Sequence, residues 1–198
     1  PIARNGVRDV GATNGVVSGR FVYALSDNFR LRAVGRYSQT KADLNDQDFN
    51  FPSPTYGFVI DSDDYYKNKA AYGLVSAEHE GLGERWSNVL SVQGVDAGRD
   101  GYSSGALAFG DDASRLGASL VSSLKFGSEA LAQTITGAVD FERQRFQNTG
   151  PFLTPAQGLQ REIENTGLVV QYDLVANDRL GLGAGEVRHQ SSSERAIA

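Results

Sequence analysis

The residue types best suited to chemistry gather in one stretch, "KADLNDQDFNFPSPTYGFVIDSDDYYK". Between Lys41 and Lys67 it holds six aspartates, Asp43, Asp46, Asp48, Asp61, Asp63 and Asp64, and no basic residue. Carboxylate oxygens are hard ligands, and Ca²⁺ gathers about 6–8 of them. This makes the six aspartates the candidate metal ligands of the chain. A merely solvated acidic rim is the plainer use of the same residues. Aromatic residues are interleaved with them: Phe49, Phe51, Tyr56, Phe58, Tyr65 and Tyr66. Phe51, Tyr56 and Phe58 are the candidate lining for a flat, bulky ligand. Packing of the loop onto itself would use the same rings.

Other chemistry is sparse. His79 and His189 are the sole histidines and stand far apart in sequence. Cysteine is absent, which excludes a thiolate nucleophile and a disulfide framework. The run "GLGAGE" has Glu186 where a dinucleotide loop needs its third glycine. No serine sits in a nucleophile-elbow context. The chain is therefore not expected to be an enzyme. A net charge of -5 argues against a general nucleic-acid binder.

The elements that position these residues follow from a period of two. In "YALSDNFRLRAVGRYSQ", Phe29, Leu31, Ala33, Gly35 and Tyr37 alternate with Arg30, Arg32, Arg36 and Ser38. Such alternation predicts a β-strand with one apolar and one cationic face. The preceding segment puts Val17, Gly19, Phe21, Tyr23 and Leu25 on one side. Further pairs follow. Trp86, Leu90 and Val92 oppose Ser87, Ser91 and Gln93. Leu116, Ala118, Leu120, Leu124 and Phe126 oppose Arg115, Ser119, Ser123 and Lys125. Leu131, Ile135, Val139 and Phe141 oppose Thr134, Thr136, Asp140 and Glu142. Leu168, Val170, Tyr172 and Leu174 oppose Gln171 and Asp173. The periodicity leaves the register of 68–80 and of 180–190 open. In the first, Tyr72/Leu74 and Val75/Ala77 compete for the apolar face. In the second, Glu186 interrupts the series Leu180, Leu182, Ala184, through either a bulge or a strand end.

Tight-turn signals fall near Asp27, Gly83, Ser128 and Asn177. The intervening connections look long, roughly 39–66, 97–114 and 147–162. Short turns at one end and long loops at the other, joined by two-faced strands, is the pattern of a transmembrane β-barrel of outer-membrane type. On this reading the apolar faces meet lipid and the arginines face the lumen. Trp86, Tyr23, Phe29 and Phe126 near the short turns, and Tyr37 at the far end of its strand, suit aromatic girdles. The fold class expected is all-β, an antiparallel up-and-down transmembrane barrel of which about eight strands lie in this chain.

These phrases resemble a family. "YALSDNFRLRAVGRY", "GAVDFERQRFQNTG" and "ENTGLVVQYDLVANDRLGLGAGEVRH" are similar to strands of TonB-dependent outer-membrane receptors, in their cobalamin-transporter-like branch. The resemblance covers roughly residues 14–188. It implies a barrel of about 22 strands with a plugged lumen, taking up cobalamin or a ferric siderophore under the drive of the TonB complex. It also implies Asp-rich calcium sites in extracellular loops, which adds to the reading of Asp43 to Asp64. Residues 1–198 are then expected to be one part of such a barrel domain, without its plug, in the outer membrane of a Gram-negative cell. Its expected partners are outer-membrane lipid, a cobalamin- or siderophore-like ligand, and TonB through a plug carried elsewhere, with no nucleic acid. The alternative is a complete small eight-stranded barrel with a structural or adhesive role, in which Arg20, Arg30, Arg32 and Arg36 would pair with Asp140, Glu142 and Asp173.

Overall fold

A computed structural model of the chain describes residues 10–128, 130–176, 180–191 and 195–197. Eight long strands follow one another: β1 (Ala12–Ser26), β2 (Phe29–Asp43), β5 (Tyr65–Gly81), β6 (Trp86–Ser103), β7 (Ala106–Ser128), β8 (Leu131–Thr149), β9 (Gln160–Ala176) and β10 (Leu180–Ser191). The short β3 (Asp46–Gln47) and β4 (Val59–Ile60) form their own two-stranded ribbon, and β11 (Arg195–Ile197) pairs with β9. The long strands lie in the order β1-β2-β5-β6-β7-β8-β9-β10, each antiparallel to the next. No helix occurs among the described residues. Nor do β1 and β10 pair with each other, so the sheet is an open, singly wound meander rather than a barrel closed on eight strands.

The register carries the alternation across the sheet. Leu31, Ala77, Leu90, Leu120, Val139 and Leu168 form one line of directly paired residues over β2 and β5 to β9. Their neighbours Arg32, Ser76, Ser91, Ser119, Asp140 and Gly167 form the adjoining line, on the opposite face. The open register of 68–80 is thereby resolved. Val75 pairs with Ala33 and Val92 on the apolar face, and Leu74 pairs with Val34 and Gln93 on the other. In β10 the pairing runs without a shift from Leu180 to Ser191, so no bulge re-phases it. Glu186 stays on the apolar face opposite Val170, where it accepts a 2.7 Å hydrogen bond from Arg188 Nε.

This sheet has almost no interior. Among the described residues the only buried hydrophobic side chain is Ala42. Leu90, Leu120, Ile135, Val139 and Val170 are each more than 40% exposed on the apolar face. On the polar face hydroxyls bond across strands, Ser91 to Ser119 at 2.6 Å and Ser123 to Thr136 at 2.9 Å.

The turns at the short end fall where their residues demand. Asp27 and Asn28 link β1 to β2, and Leu82, Gly83 and Glu84 all take positive φ between β5 and β6. The signal at Asn177 lies outside the described residues. One connection differs from expectation. No long loop spans 97–114: β6 and β7 run on to a two-residue turn at Ser104 and Gly105. Both turn residues have positive φ, 51° and 79°, as the primed hairpin turn matched to strand twist requires. The polar composition of the stretch concealed a strand pair that extends past the apolar band.

This turn gives a direct test. Gly105→Val should cost roughly 1–2 kcal/mol of unfolding free energy, because a β-branched residue resists positive φ. Ser104→Gly should be neutral or stabilising. Equal midpoints for Gly105→Val and the parent in a denaturant titration would rule out the hairpin.

Candidate functional site

Two regions at the loop end gather functional side chains. The first is the 44–64 connection. Its ribbon is closed by bonds from Asp48 N to the Phe58 carbonyl (3.0 Å) and from Gly57 N to the Asp48 carbonyl (2.7 Å). Asp48 is 5% exposed and its carboxylate holds the bend. Asn50 N donates to Oδ1 at 2.8 Å and Thr55 Oγ1 to Oδ2 at 2.5 Å. Hydrogen bonds from the side chains of Ser53 and Thr55 and from the Asn50 backbone hold its pKa below the ordinary aspartate value.

The other aspartates are dispersed. Asp43, at the end of β2, lies 3.6 Å from Lys41 Nζ. Asp46 Oδ1 accepts from Gln47 N at 2.7 Å. Asp64 Oδ1 accepts from Ser104 N at 3.3 Å, tying the loop to the neighbouring hairpin. Asp61 and Asp63 lie in the link between β4 and β5, Asp63 being exposed. Among the described residues no three acidic or histidine side chains come together as metal ligands. Asp48 spends both oxygens within its own bend. Of the aromatic candidates, Phe51 and Tyr56 meet edge to face at 5.7 Å. Phe51 is 83% exposed, Phe58 45% and Tyr56 50%, so the three rings face solvent.

The second region lies on the polar face of the sheet. Arg36, Tyr72, Val95, Arg115, Gln144 and Ile163 form one register line across six strands. The next line toward the loops is Ser38, Ala70, Ala97, Ala113, Phe146 and Arg161. Alanines make a floor, Phe146 and Ile163 make a wall, and arginines stand around it. The resulting concavity is about 430 Å³, lined by Val95, Ala97, Ala113, Arg115, Phe146, Arg161 and Ile163 among others. Arg115 is paired with Glu142. Arg30 and Arg32 share Glu78, at 3.7 and 3.1 Å. Among the described residues Arg20 and Arg36 have no carboxylate within ion-pair reach. The wall could have been read from sequence, because counting by two past Glu142 and Gln144 puts Phe146 on the polar face.

No protein-family model matches the chain, and no curated protein matches it. Among solved structures, the chain is similar to the ferric preacinetobactin receptor BauA of Acinetobacter baumannii. The TM-score is 0.64 at 11% identity, over 93% of this chain and 36% of the receptor. The likeness is one of fold: the chain spans about a third of that receptor's length, as a wall of consecutive antiparallel strands.

The Asp48 bend has a pH signature. A carboxyl whose folded pKa lies below its unfolded value stabilises above the unfolded pKa. That contribution is lost as pH falls through the folded one. Hydrogen exchange in 46–58, corrected for its intrinsic pH dependence, should stay slow from neutral pH to about 5. It should accelerate only below about 4. Asp48→Ala should accelerate it already at neutral pH. Exchange in Asp48→Ala matching the parent would show that the carboxylate does not hold the bend.

Proposed function

We propose that this chain is part of the wall of an outer-membrane, TonB-dependent receptor that takes up a bulky nutrient, a ferric siderophore or cobalamin. The observation that carries this reading is a continuous apolar face with nothing among the described residues to cover it. A soluble sheet buries such a face against a second layer, and here one hydrophobic side chain is buried among those described. The apolar band runs from Leu116 to Phe126 in β7 and from Leu131 to Phe141 in β8, the length a tilted strand needs to cross hydrocarbon, about 9–11 residues. Aromatic layers bound it. At the short-turn end His79 lies between Phe29 (6.5 Å) and Trp86 (6.0 Å). At the loop end Tyr65 stacks on Tyr102 at 4.6 Å. From His79 to Tyr65 a strand rising about 3.4 Å per residue and tilted by about 40° climbs roughly 35 Å. That spans a hydrocarbon core of about 30 Å and reaches into its borders. The fold likeness to a receptor wall supports the same reading.

The ligand would meet the lumen side near the loops. The concavity of Phe146, Ile163 and the alanine floor suits a flat, largely apolar body, and Arg115 and Arg161, which line it, suit anionic groups on it. Phe51, Tyr56 and Phe58 would contact it from above. Calcium enters this reading only as a cation that could draw Asp46, Asp61 and Asp63 together and order the loop. Uptake would be driven by TonB acting on a plug carried outside these residues.

Single-cysteine scanning tests the membrane placement. In reconstituted protein, Leu120→Cys and Ile135→Cys should resist a membrane-impermeant thiol reagent, and Ser119→Cys and Thr134→Cys should react. The reverse pattern would exclude a lipid-facing band. For the ligand, ferric siderophores and cobalamin are titrated against the intact receptor. Phe146→Ala together with Arg115→Gln should weaken binding of the taken ligand at least tenfold, about 1.4 kcal/mol. Unchanged affinity would remove the concavity from the site. Calorimetric titration with Ca²⁺, with Asp46→Asn and Asp63→Asn as the control, tests the cation. No saturable heat at millimolar Ca²⁺ would leave the aspartates as an acidic rim.

A further inference from the structure

The apolar face of β1, β2, β5 and β6 carries a feature that neither ligand uptake nor wall building requires. Gly19, Gly35, Gly73 and Gly94 are paired in one line across these four strands. With no side chains there, the face dips into a shallow groove of about 590 Å³, walled by Phe21, Ala33, Val75 and Val92. Strain does not explain the glycines, since none of the four has positive φ. Nor does crowding: a Cβ at Gly19 or Gly73 would meet nothing within 4 Å, and at Gly35 or Gly94 would only touch backbone at 3.9 Å.

Further along β2 and β5, still on the same face, three lysines follow. Lys41 and Lys67 are directly paired, and Lys69 lies opposite Gln39. Like charges directly opposed across a strand pair destabilise it. Both ammonium groups sit on the aromatic stack, Lys41 Nζ 4.6 Å from the Tyr65 ring centre, and Lys67 Nζ 5.5 Å from that of Tyr65 and 5.0 Å from that of Tyr102. Lys41 has one ion pair, with Asp43, while among the described residues Lys67 and Lys69 make none. Asp43 lies 3.6 Å from Lys41 Nζ, and Asp112 Oδ1 lies over Gly98, the residue opposite Lys69. Asp100, opposite Lys67, leans toward Gly110 and makes no ion pair with it. Asp96 lies opposite Ala71, beyond Lys69. The same belt on β8 and β9 is self-compensated, with Arg143 and Arg145 bonded to Glu164 and Glu162 at 2.7 and 2.5 Å.

We propose that this face binds one lipid with a phosphorylated headgroup, the phosphate held between Lys41 and Lys67 and an acyl chain lying in the glycine groove. The inference rests on the membrane placement proposed above. Lys69 and Lys67 then stand about 25–30 Å above the His79 layer, at headgroup height. The groove opens below them along the same two strands, at the depth of the acyl chains. A phosphate between the lysines removes their repulsion, and the tyrosine stack on their loop side holds both ammoniums. A small soluble anion could use the lysines but would leave the groove empty, so the lipid is the occupant that uses both.

The test is lipid binding to the intact receptor in neutral detergent, read by native mass spectrometry with dipalmitoyl phosphatidic acid as probe and phosphatidylcholine of equal chain length as control. One phosphatidic acid should be retained, and phosphatidylcholine should be retained far more weakly. Lys41→Gln with Lys67→Gln should weaken retention roughly tenfold or more, from about fivefold per lysine near a membrane surface. Lys41→Arg with Lys67→Arg should preserve it, and Arg143→Gln with Arg145→Gln should leave it unchanged. Gly35→Leu with Gly73→Leu, which the open groove accommodates, should displace the lipid while the protein stays folded. Equal retention of the two lipids, retention unaffected by the lysine pair or by groove filling, or displacement by millimolar inorganic phosphate would each overturn the proposal. Flotation with vesicles separates the two readings. A receptor that floats yet shows no such preference loses only the lipid site, whereas one that stays in the aqueous phase loses the membrane placement as well.

Discussion

A single layer of strands has two faces and no inside, and this constraint governs the whole molecule. Each long strand hands its alternation to the next through a ladder that shifts only near its ends, at Ala24/Ser26 and at Gly101/Tyr102, so a side chain's face is set by its position in that ladder. Leu120 can be apolar-facing only because Val139 and Leu90 stand beside it at matching positions. A slip of one residue between any two strands would turn Arg32 and Ser119 toward the apolar side. The cross-strand hydroxyl pairs on the polar face and the aliphatic lines on the other both resist that slip. Hydrophobic burial thus acts here through what covers the sheet, not through a core of its own.

The functional groups follow from where each face meets water. On the polar face the arginines would be costly if packed in an eight-strand interior without partners. In an open sheet they take carboxylates where these are near, as Arg30 and Arg32 do with Glu78, or stand over a concave floor of alanines. At the loop end the strands run past the apolar band, so β6 and β7 rise as a hairpin whose Ser104 N reaches Asp64. That contact ties the acidic, aromatic connection to the β6–β7 hairpin, and the Asp48 bend fixes its tip.

The strand content, the two faces, the short-end turns near Asp27, Gly83 and Ser128 and the order of pairing could be read from the sequence. All depend on neighbours in the chain: period-two alternation, and Gly, Asp or Asn where the backbone must reverse. The faces of Leu31, Leu120, Ile135, Val139 and Val170, against Arg32, Ser119, Thr134 and Gln171, are as the alternation predicts. The hairpin at Ser104 was less legible. Its flanks are polar, and alternation needs contrast to be seen.

What the sequence by itself determined is which residues share a face along each strand, because the pleat has a fixed period. Only the tertiary structure decided which residues share a line across strands. That depends on register, which is set by several turns and side-chain ladders at once. Ambiguous Tyr72 and Leu74 went to the polar face because Arg36, Val34 and Gln93 were already committed to it. The alanine floor, the facing pair Lys41 and Lys67, and the row of four glycines are likewise lateral facts. Their members lie tens of residues apart, and no local property of the chain marks them as neighbours.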